Sequence, residues 1–282
     1  MAPRASREKV ALITGASSGI GKATALALAE AGFIVYASAR QAEMLADLHA
    51  RGCKALRLDV TDEASMVAAV RTIEEAHGAV SVLVNNAGYG VNGPLEELDL
   101  GDVRREFETN VFGLLRLSQL VLPAMRARGS GRIVNVGSVG GLFTAPGAGA
   151  YHASKYAVEA LSDALRMEVR PFGIAVALIE PTGVRTAFVE KISATLEALG
   201  GEGPYAIFKR NLAAGTRRLF AEDARGILAP EDVARVIVRA AIARRPQARY
   251  RVGLVAHLLP RIRRLAGDRG WDALMARAFP SS

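Results

Sequence analysis

Short apolar runs alternate with longer amphipathic segments through most of the chain, and this alternation limits the possible folds most strongly. Each run is rich in Val, Ile, Leu and Ala, as expected for a strand that is buried on both faces of a sheet. The predicted strands are Val10–Thr14, Phe33–Ala39, Ala55–Val60, Val80–Val84, Arg132–Val136 and Ile174–Ile179. The predicted helices are Ile20–Ala31, Gln41–Arg51, Asp62–Ala76, Asp102–Arg128 and His152–Val169. Because strands joined through helices cross over with a right hand, the pattern predicts an α/β fold with a doubly wound parallel sheet.

The regular alternation ends after Pro181, where helical patterns take over. A last strand is predicted at Tyr250–Val252, at the edge of the sheet. The chain shows no internal repeat and no linker-like tract. We therefore expect a single domain over residues 1–282, with a core at about 8–186 and a helical C-terminal extension at about 187–282.

The composition is that of a globular chain with a large core, since 50% of the 282 residues are hydrophobic. Cys53 is the single cysteine, so no internal disulfide can form, and no His or Cys cluster has the spacing of a metal site. No segment approaches the ~18 continuous apolar residues of a membrane-spanning helix. The first nine residues are polar and basic, so we expect no secretory signal there. We therefore expect a cytoplasmic protein without a metal ion.

The net charge of +8 is concentrated near the C-terminus, where nine arginines lie between Arg244 and Arg277 against only two aspartates. Apolar residues such as Leu258, Ile262 and Leu265 lie between these charges. The segment could therefore make weak contact with a membrane surface, cover a binding pocket, or be an ordinary solvated helix face. No nucleic-acid-binding motif accompanies the arginines, and we expect no nucleic-acid partner.

A glycine-rich turn directly follows the first predicted strand, in the sequence Thr14–Gly21. Glycines allow a tight turn and a close approach of the backbone to a phosphate, and the next helix begins with unpaired N–H groups that attract an anion. The turn therefore predicts a site for the pyrophosphate of a dinucleotide, and a glycine turn without a ligand is the alternative. The residues expected to contact the cofactor here are Gly15, Ser17, Ser18, Gly19, Ile20 and Gly21.

The residue after the second strand indicates which dinucleotide binds. Folds that prefer NAD usually have a carboxylate there to bind the ribose hydroxyls, whereas this chain has Arg40. An arginine can pair with a 2′-phosphate, so we expect NADP(H) to be preferred over NAD(H); an exposed arginine at a helix start is the alternative. Further adenosine contacts are expected from Asp59 and Val60, at the end of the third strand. Asn86, Ala87 and Gly88 follow the fourth strand and could also contact the adenosine, or their role could be purely structural.

Tyr151 and Lys155 form the pair that points to catalysis. They are four residues apart in a predicted helix and therefore lie on one face of it. A nearby ammonium group would stabilise a phenolate and lower the pKa of Tyr151 from its usual value of about 10. Tyr151 could then donate a proton to a carbonyl oxygen or accept one from an alcohol, with the hydroxyl of Ser138 bonded to the same oxygen. His152 is one position round the helix and is expected to face away.

Together these motifs resemble those of the short-chain dehydrogenase/reductase family, in its short single-domain branch. Thr14–Gly21 is similar to the family's glycine motif, Asn85–Gly88 to its Asn-Asn-Ala-Gly motif and Tyr151–Lys155 to its Tyr-x-x-x-Lys motif. The resemblance implies a Rossmann-type fold and a catalytic tetrad of Asn110, Ser138, Tyr151 and Lys155. It further implies that Asn110 holds a water connected to Lys155, which also binds the nicotinamide ribose together with Tyr151. The nicotinamide carboxamide would contact the segment containing Pro181, Gly183, Val184 and Thr186.

The stretch from Tyr151 to Thr186, with Arg40, is particularly similar to hydroxysteroid and retinol dehydrogenases. This resemblance implies an NADP(H)-dependent oxidoreductase that interconverts an alcohol and a carbonyl on a bulky apolar substrate, which is steroid-, retinoid- or lipid-like. Residues 8–186 would bind the cofactor and carry out catalysis, and residues 187–282 would bind the substrate. Several apolar residues could line its pocket or belong to the core: Leu142, Phe143, Val184, Phe188, Val189 and Leu196.

The same resemblance implies a homodimer or homotetramer, formed through the helices at 102–128 and 152–169. Two other functions would use the same residues. A sensor or scaffold would bind NADP(H) without turnover, and a nucleotide-sugar epimerase would use the same tyrosine and lysine with a different glycine spacing. All four positions of the tetrad are occupied in this chain, which favours the oxidoreductase.

Overall fold

The computed structural model describes residues 8–186, 196, 202–221 and 226–280. Within them the strands are β1 (Val10–Ile13), β2 (Ile34–Ala39), β3 (Lys54–Arg57), β4 (Val82–Asn85), β5 (Gly131–Val136), β6 (Ile174–Pro181) and β7 (Arg249–Val252). The helices are α1 (Gly19–Glu30), α2 (Ala46–Ala50), α3 (Glu63–His77), α4 (Leu100–Phe107), α5 (Leu114–Arg128), α6 (Gly149–Val169), α7 (Ala206–Leu219), α8 (Pro230–Ile242) and α9 (Leu254–Ala278). A π-helical turn, Glu108–Gly113, connects α4 directly to α5.

The strands form one seven-stranded parallel sheet in the order β3-β2-β1-β4-β5-β6-β7. β1 pairs with β2 on one side and with β4 on the other, so the strand order reverses at this point of the chain. Ligands of such Rossmann-type doubly wound sheets bind at the carboxyl ends of the strands, next to the reversal. The predicted fold class is therefore confirmed.

The sheet separates two apolar layers, because alternate residues of each strand point to opposite faces. Ala11 and Ile13 of β1 pack into the layer with α1 and α8, while Val10 and Leu12 pack into the layer with α3 and α5. All four residues are 0% exposed. Burial on both faces explains why the strands read as continuous apolar runs rather than as alternating ones.

Two predicted elements differ from the structure near the carboxyl edge of the sheet. The third strand ends before Val60, because Asp59 Oδ1 accepts hydrogen bonds from the backbone N–H (2.9 Å) and the hydroxyl (2.8 Å) of Thr61 and turns the chain toward α3. The helix predicted at Asp102–Arg128 consists of α4, the π turn and α5 in succession. Gly113 in the π turn packs closely, since an added Cβ would lie 2.4 Å from the carbonyl oxygen of Val60.

The C-terminal segment adds an edge strand and a long interrupted helix. β7 pairs with β6, which confirms the strand predicted at Tyr250–Val252. α9 is interrupted at Gly267, whose backbone angles (φ +62°, ψ −173°) are not helical. The part after the interruption packs inward, where Trp271 is 3% exposed and donates from Nε1 to the carbonyl oxygen of Thr144 at 2.8 Å. Among the described residues, no helix is both long and apolar enough to cross a membrane.

Candidate active site

The glycine-rich turn lies between β1 and α1, at the carboxyl edge of the sheet. Gly15 (φ +65°) has no room for a side chain, since an added Cβ would lie 2.9 Å from Ala87 Cα. At Gly21 an added Cβ would lie 2.3 Å from the carbonyl oxygen of Gly15. The first turn of α1, all of it described, has no acidic residue, and its N-cap Ser18 makes no side-chain capping bond. The N–H groups of this helix end therefore suit an anion such as a dinucleotide pyrophosphate.

The segment at 181–186 brings Thr186 close to this turn. Pro181 ends β6 in a buried position, and Val184 pairs with Leu228 in a parallel bridge. An added Cβ at Gly19 (φ +53°) would lie 2.8 Å from Thr186 Cγ2. The structure therefore brings together the segment predicted to hold the pyrophosphate and the segment predicted to contact the nicotinamide carboxamide.

Asn86 and Ala87 hold the glycine turn in place. The hydroxyl oxygen of Thr14 accepts hydrogen bonds from the backbone N–H groups of Asn86 (2.9 Å) and Ala87 (3.0 Å). The side-chain amide of Asn86 donates to the carbonyl oxygens of Thr14 (2.9 Å) and Gly15 (3.1 Å). These bonds are the structural role that the sequence left open, and a direct contact of Asn86 or Ala87 with a cofactor stays a prediction.

The residues expected to recognise the adenosine end follow β2 and β3. Arg40 comes directly after β2 and is exposed. Asp59 is half-buried, and one of its carboxylate oxygens is occupied by Thr61. Val60 is 8% exposed. Arg40 thus offers an exposed guanidinium where an NAD-preferring fold would have a carboxylate.

Tyr151, Lys155 and Ser138 converge beside the end of β5. The first two lie on α6, and Ser138 follows β5. The side chains of Tyr151 and Ser138 are hydrogen-bonded to each other. Lys155 Nζ lies 5.7 Å from the centroid of the Tyr151 ring and donates to the carbonyl oxygen of Val136 at 3.1 Å. Gly88 borders the group, since an added Cβ there would lie 3.8 Å from Lys155 Nζ.

Burial changes the proton affinities of these side chains. It raises the pKa of Tyr151 to about 12, although the hydrogen bond with Ser138 acts in the opposite direction. It lowers the pKa of Lys155 to about 8. The expectation that the pKa of Tyr151 is lowered is therefore wrong for this structure, because desolvation of the phenolate outweighs the stabilising contacts. Tyr151 consequently keeps its proton at neutral pH.

Asn110 lies in the π turn, and its side-chain amide is engaged inside the protein. Its Nδ2 donates to the Tyr89 carbonyl oxygen (2.8 Å), the Ser154 hydroxyl (3.0 Å) and the Glu106 carboxylate (3.3 Å). Its Oδ1 accepts from the Tyr89 N–H at 3.1 Å. Asn110 therefore connects the loop after β4 to α6. Single π turns inside helices are frequent at functional sites, which fits this position.

Glu106 and Ser154 are buried polar residues at the site that sequence analysis missed. Both are 0% exposed, and Ser154 Oγ lies 3.2 Å from Glu106 Oε1 as a donor. Their spacing was the available signal, because Glu106 precedes Asn110 by four residues and Ser154 lies inside the Tyr-x-x-x-Lys motif. Helical spacing turns both toward the same side as the predicted catalytic residues.

A further buried polar chain runs under the site between β4 and β5. Asn85 Nδ2 donates to Ser118 Oγ (3.1 Å) and to Asn135 Oδ1 (3.0 Å). Asn135 Nδ2 donates in turn to Ser162 Oγ at 2.9 Å. Because these buried amides are paired, this network of hydrogen bonds fixes α5 and α6 on one face of the sheet. The sequence signalled Asn85 only as part of its motif and did not signal the other three residues.

His152 supports the loop that follows β5. Its Nδ1 accepts from the backbone N–H of Ala145 at 3.2 Å. Its ring lies 5.7 Å from that of Phe143, which lies 5.3 Å from Trp271. Burial lowers the pKa of His152 to about 4, so the ring is neutral at physiological pH. Its hydrogen bond is therefore structural. The expectation that His152 faces away from Tyr151 is wrong, however, because the centroids of the two rings lie 5.8 Å apart.

Three of the six apolar residues considered for the substrate pocket belong to packed clusters. Phe143 lies in the cluster with Trp271, Val184 in the core layer with α1 and α8, and Leu196 in a cluster with α7. Phe188 and Val189 lie outside the described residues, and Leu142 is partly exposed. In the described part of the chain, no group of His, Cys, Asp and Glu residues has the arrangement of a metal site.

The family model described as short chain dehydrogenase matches residues 9–197. The chain is 38% identical over 269 residues to YbbO, an uncharacterised oxidoreductase of Escherichia coli K12, which covers 95% of this chain and 94% of the relative. It is 36% identical over 275 residues, 96% of each chain, to 3-ketodihydrosphingosine reductase of Bacteroides thetaiotaomicron. It is 40% identical over 255 residues, 86% of this chain and 76% of the relative, to human 17-beta-hydroxysteroid dehydrogenase type 1.

Solved structures show the same architecture. A short chain dehydrogenase/reductase of Burkholderia phymatum in complex with NAD superposes with a TM-score of 0.78 at 30% identity, covering 92% of this chain and 93% of that one. A metagenomic short-chain oxidoreductase in complex with NADP gives a TM-score of 0.67 at 26% identity, covering 86% and 96%. Since the family model spans well over half of the chain and relatives match it nearly end to end, the protein belongs to the short-chain dehydrogenase/reductase family of oxidoreductases.

Proposed function

We propose that the protein is an NADP(H)-dependent oxidoreductase that interconverts a carbonyl and an alcohol on a bulky apolar substrate. The proposal rests on the convergence of Tyr151, Ser138 and Lys155 beside the end of β5. The hydrogen bond between Tyr151 and Ser138 brings two hydroxyl groups close enough to bind one substrate oxygen. When bound, the nicotinamide supplies or accepts the hydride.

Tyr151 is the proposed proton donor in the direction of reduction. With a pKa of about 12, its hydroxyl keeps a proton at neutral pH that it can give to a carbonyl oxygen. Ser138 binds the same oxygen and orients it. Lys155 is a cation below its pKa of about 8, and its charge stabilises the phenolate that forms. At neutral pH both side chains therefore carry the proton that carbonyl reduction requires.

Asn110 is the proposed fourth member of the catalytic group. The hydrogens of its amide nitrogen are directed at acceptors within the protein. A water that Asn110 holds for Lys155 would therefore bind to an oxygen atom of the residue. Such a water would give Tyr151 a route for regaining its proton through Lys155.

NADP(H) is the proposed form of the cofactor, with Arg40 as the residue that selects it. A 2′-phosphate forms charge-assisted hydrogen bonds with a guanidinium group. Of the two solved neighbours, one binds NAD and the other NADP, so membership of the family does not decide the preference. The exposed position of Arg40 after β2 supports NADP(H).

The names of two relatives support an apolar substrate. One is a 3-ketodihydrosphingosine reductase and the other a 17-beta-hydroxysteroid dehydrogenase. Both names describe a lipid-like ketone or alcohol. We therefore propose a steroid-, retinoid- or lipid-like substrate for this protein, bound by residues 187–282 against the core at 8–186.

Exposed apolar side chains support the proposed partners. Leu100 of α4 and Phe112 of the π turn are 64% and 52% exposed, which supports a homodimer or homotetramer formed through these helices. Exposed leucines between arginines on α9 support a weak contact with an anionic membrane surface.

The cytoplasm is the proposed location, where the buried thiol of Cys53 would stay reduced.

The proposed function is tested by following the absorbance of NADPH and NADH with a panel of carbonyl compounds. The panel contains a 17-ketosteroid, 3-ketodihydrosphingosine, retinaldehyde and, as a small polar control, acetone. We expect NADPH to be oxidised by at least one bulky apolar compound and hardly at all by acetone. Tight NADPH binding without turnover of any compound would instead favour a sensor, and binding of neither nucleotide would contradict the proposal.

A further inference from the structure

Glu106 is a fully buried carboxylate next to the proposed acid and base groups. It lies on α4, is 0% exposed, and lies two residues before the π turn that contains Asn110. Burying a carboxylate costs several kcal/mol unless hydrogen bonds and opposite charges compensate. A hydrophobic residue would fill an inward-facing helix position at no such cost, so the carboxylate calls for a role.

Each carboxylate oxygen of Glu106 accepts hydrogen bonds from a different element. Oε2 accepts from the backbone N–H of Val91 at 2.9 Å, in the segment after β4. Oε1 lies 3.3 Å from Asn110 Nδ2 and 3.2 Å from Ser154 Oγ, both of which can donate to it. Glu106 therefore ties the π turn and α6 to the segment after β4.

Ser154 extends this network into the helix turn of the catalytic pair. Its hydroxyl can donate to Glu106 or to the carbonyl oxygen of Tyr151, which lies at 2.7 Å. It also accepts from Asn110 Nδ2 at 3.0 Å. Because Ser154 lies between Tyr151 and Lys155 in sequence, the network supports the backbone that carries both side chains.

The charge of Glu106 acts on the same group of residues. The titratable groups that face it are Lys155 and Tyr151 from α6 and Tyr89 from the loop after β4. Its negative charge raises the pKa of Lys155, in opposition to burial. Burial raises the pKa of Glu106 itself to about 7, and the hydrogen bonds and Lys155 act against that rise.

We propose that Glu106 is a positioning residue of the active site, which holds Asn110 and Ser154 in place and provides a negative charge that faces Lys155. The proposal rests on the proposed function of Tyr151 and Lys155. It assigns to Glu106 no contact with the substrate or the cofactor.

The first test is Glu106→Gln, which keeps the size of the side chain and removes its charge. One carboxylate oxygen becomes an NH2 group, so the side chain keeps a single acceptor oxygen. That oxygen cannot accept hydrogen bonds from both Val91 and Asn110. We expect kcat for carbonyl reduction to fall about tenfold, the scale of one hydrogen bond to a charged group. NADPH affinity is expected to stay unchanged, because the glycine turn is untouched.

The pH profile separates this role from a purely structural one. Removing a negative charge lowers the pKa of every facing group, so Lys155 and Tyr151 both lose their protons at lower pH. Reduction requires both protonated forms, and the alkaline limb of kcat should therefore move to lower pH in Glu106→Gln. Glu106→Asp retains the charge and should keep the alkaline limb of the unchanged protein. Glu74→Gln on α3, a partly buried glutamate remote from the site, is the matched control.

A readout without turnover completes the test. NMR titration of protein labelled at lysine Cε, with Lys155→Met for assignment, should show a lower pKa for Lys155 in Glu106→Gln than in the unchanged protein. An unchanged lysine titration, or an alkaline limb that does not move, would overturn the role of Glu106. If Glu106→Gln does not fold, a shift of the alkaline limb in Glu106→Asp would overturn it. Absence of NADPH-dependent turnover in the unchanged protein would contradict only the proposed function.

Discussion

At the scale of single residues, the site combines groups that can exchange protons with groups that brace them. Tyr151 and Lys155 have strongly shifted proton affinities and lie beside Ser138. The side-chain amide of Asn86 donates to the backbone of the glycine turn, and neutral His152 supports the loop after β5. Substitution of Tyr151 or Lys155 should therefore change turnover, whereas substitution of Asn86 or His152 should change stability.

The preference for NADPH over NADH is proposed to depend on one residue, Arg40. Arg40→Asp replaces the proposed partner of the 2′-phosphate by a repelling charge and offers the ribose hydroxyls an acceptor. Because a hydrogen bond to a charged group contributes about 1.5–3 kcal/mol, the preference for NADPH over NADH should fall about 10- to 100-fold. The measurement is fluorescence titration of both nucleotides.

Arg51→Asp is the matched control, since it makes the same charge change on an exposed arginine after α2. It should leave the ratio of the two dissociation constants unchanged. An unaltered ratio in Arg40→Asp as well would exclude Arg40 as the selecting residue.

At the scale of elements, the path from α4 through the π turn to α5 positions Asn110 and links it to the end of β3. The π turn contains both Asn110 and Gly113. Gly113 touches the Val60 carbonyl so closely that any side chain would displace one of the two segments. The contact at Gly113 therefore joins the π turn, which contains Asn110, to Val60 on the adenosine side of the site.

Gly113→Ala should destabilise the protein by about 1–3 kcal/mol, the usual cost of overpacking. Denaturant unfolding measures the change. The control is Gly215→Ala on α7, where the nearest atom to an added Cβ is Phe279 Cε1 at 3.8 Å. That variant should be as stable as the unchanged protein or slightly more so, because alanine favours helix. Equal stability of all three proteins would contradict the tight packing at Gly113.

The sequence predicted the strands, the glycine turn and the Tyr151–Lys155 pair, because buried strands and short motifs leave a clear local pattern. It did not predict the π turn, since one extra residue hardly alters the apolar spacing of a long helix. Glu106 was missed because a charged residue in an amphipathic segment normally belongs to the exposed face. The prediction of a lowered pKa for Tyr151 was wrong because the sequence shows the neighbouring lysine but does not show that Tyr151 is buried.

At the scale of the whole molecule, α9 has an inner and an outer face. Ala256 and Trp271 are buried against the loop after β5. Leu254, Leu258, Ile262 and Leu265 are spaced so that they share one side of the helix, here called the outer stripe. Leu254 and Leu265 are 74% and 87% exposed. The segment thus covers the protein on one side and presents apolar residues on the other.

The outer stripe should bind weakly to anionic membranes, because the exposed Arg261 and Arg264 lie on the same segment. We expect the protein to sediment with vesicles of phosphatidylcholine and phosphatidylserine and much less with phosphatidylcholine alone. At about 1 kcal/mol for each basic residue, Arg261→Ala with Arg264→Ala should weaken binding about 30-fold. Leu258→Glu with Leu265→Glu should abolish it.

Met44→Glu is the control for added charge on an exposed apolar side chain elsewhere, at 58% exposure. It should bind vesicles like the unchanged protein. Equal sedimentation with both kinds of vesicle, or none with either, would contradict a contact between the outer stripe and anionic membranes. A concentration-dependent dimer lost only in the leucine variants would assign the stripe to a second copy of the chain.

Tyr151→Phe removes a single oxygen atom, the one that is proposed to give the substrate its proton. We measure NADPH-dependent ketone reduction and NADPH affinity in this variant and in Tyr156→Phe, a partly exposed tyrosine on the same helix. We expect turnover to fall on the order of 10²–10⁴-fold in Tyr151→Phe with NADPH binding retained, while Tyr156→Phe stays active. Undiminished turnover in Tyr151→Phe would exclude Tyr151 as the proton donor.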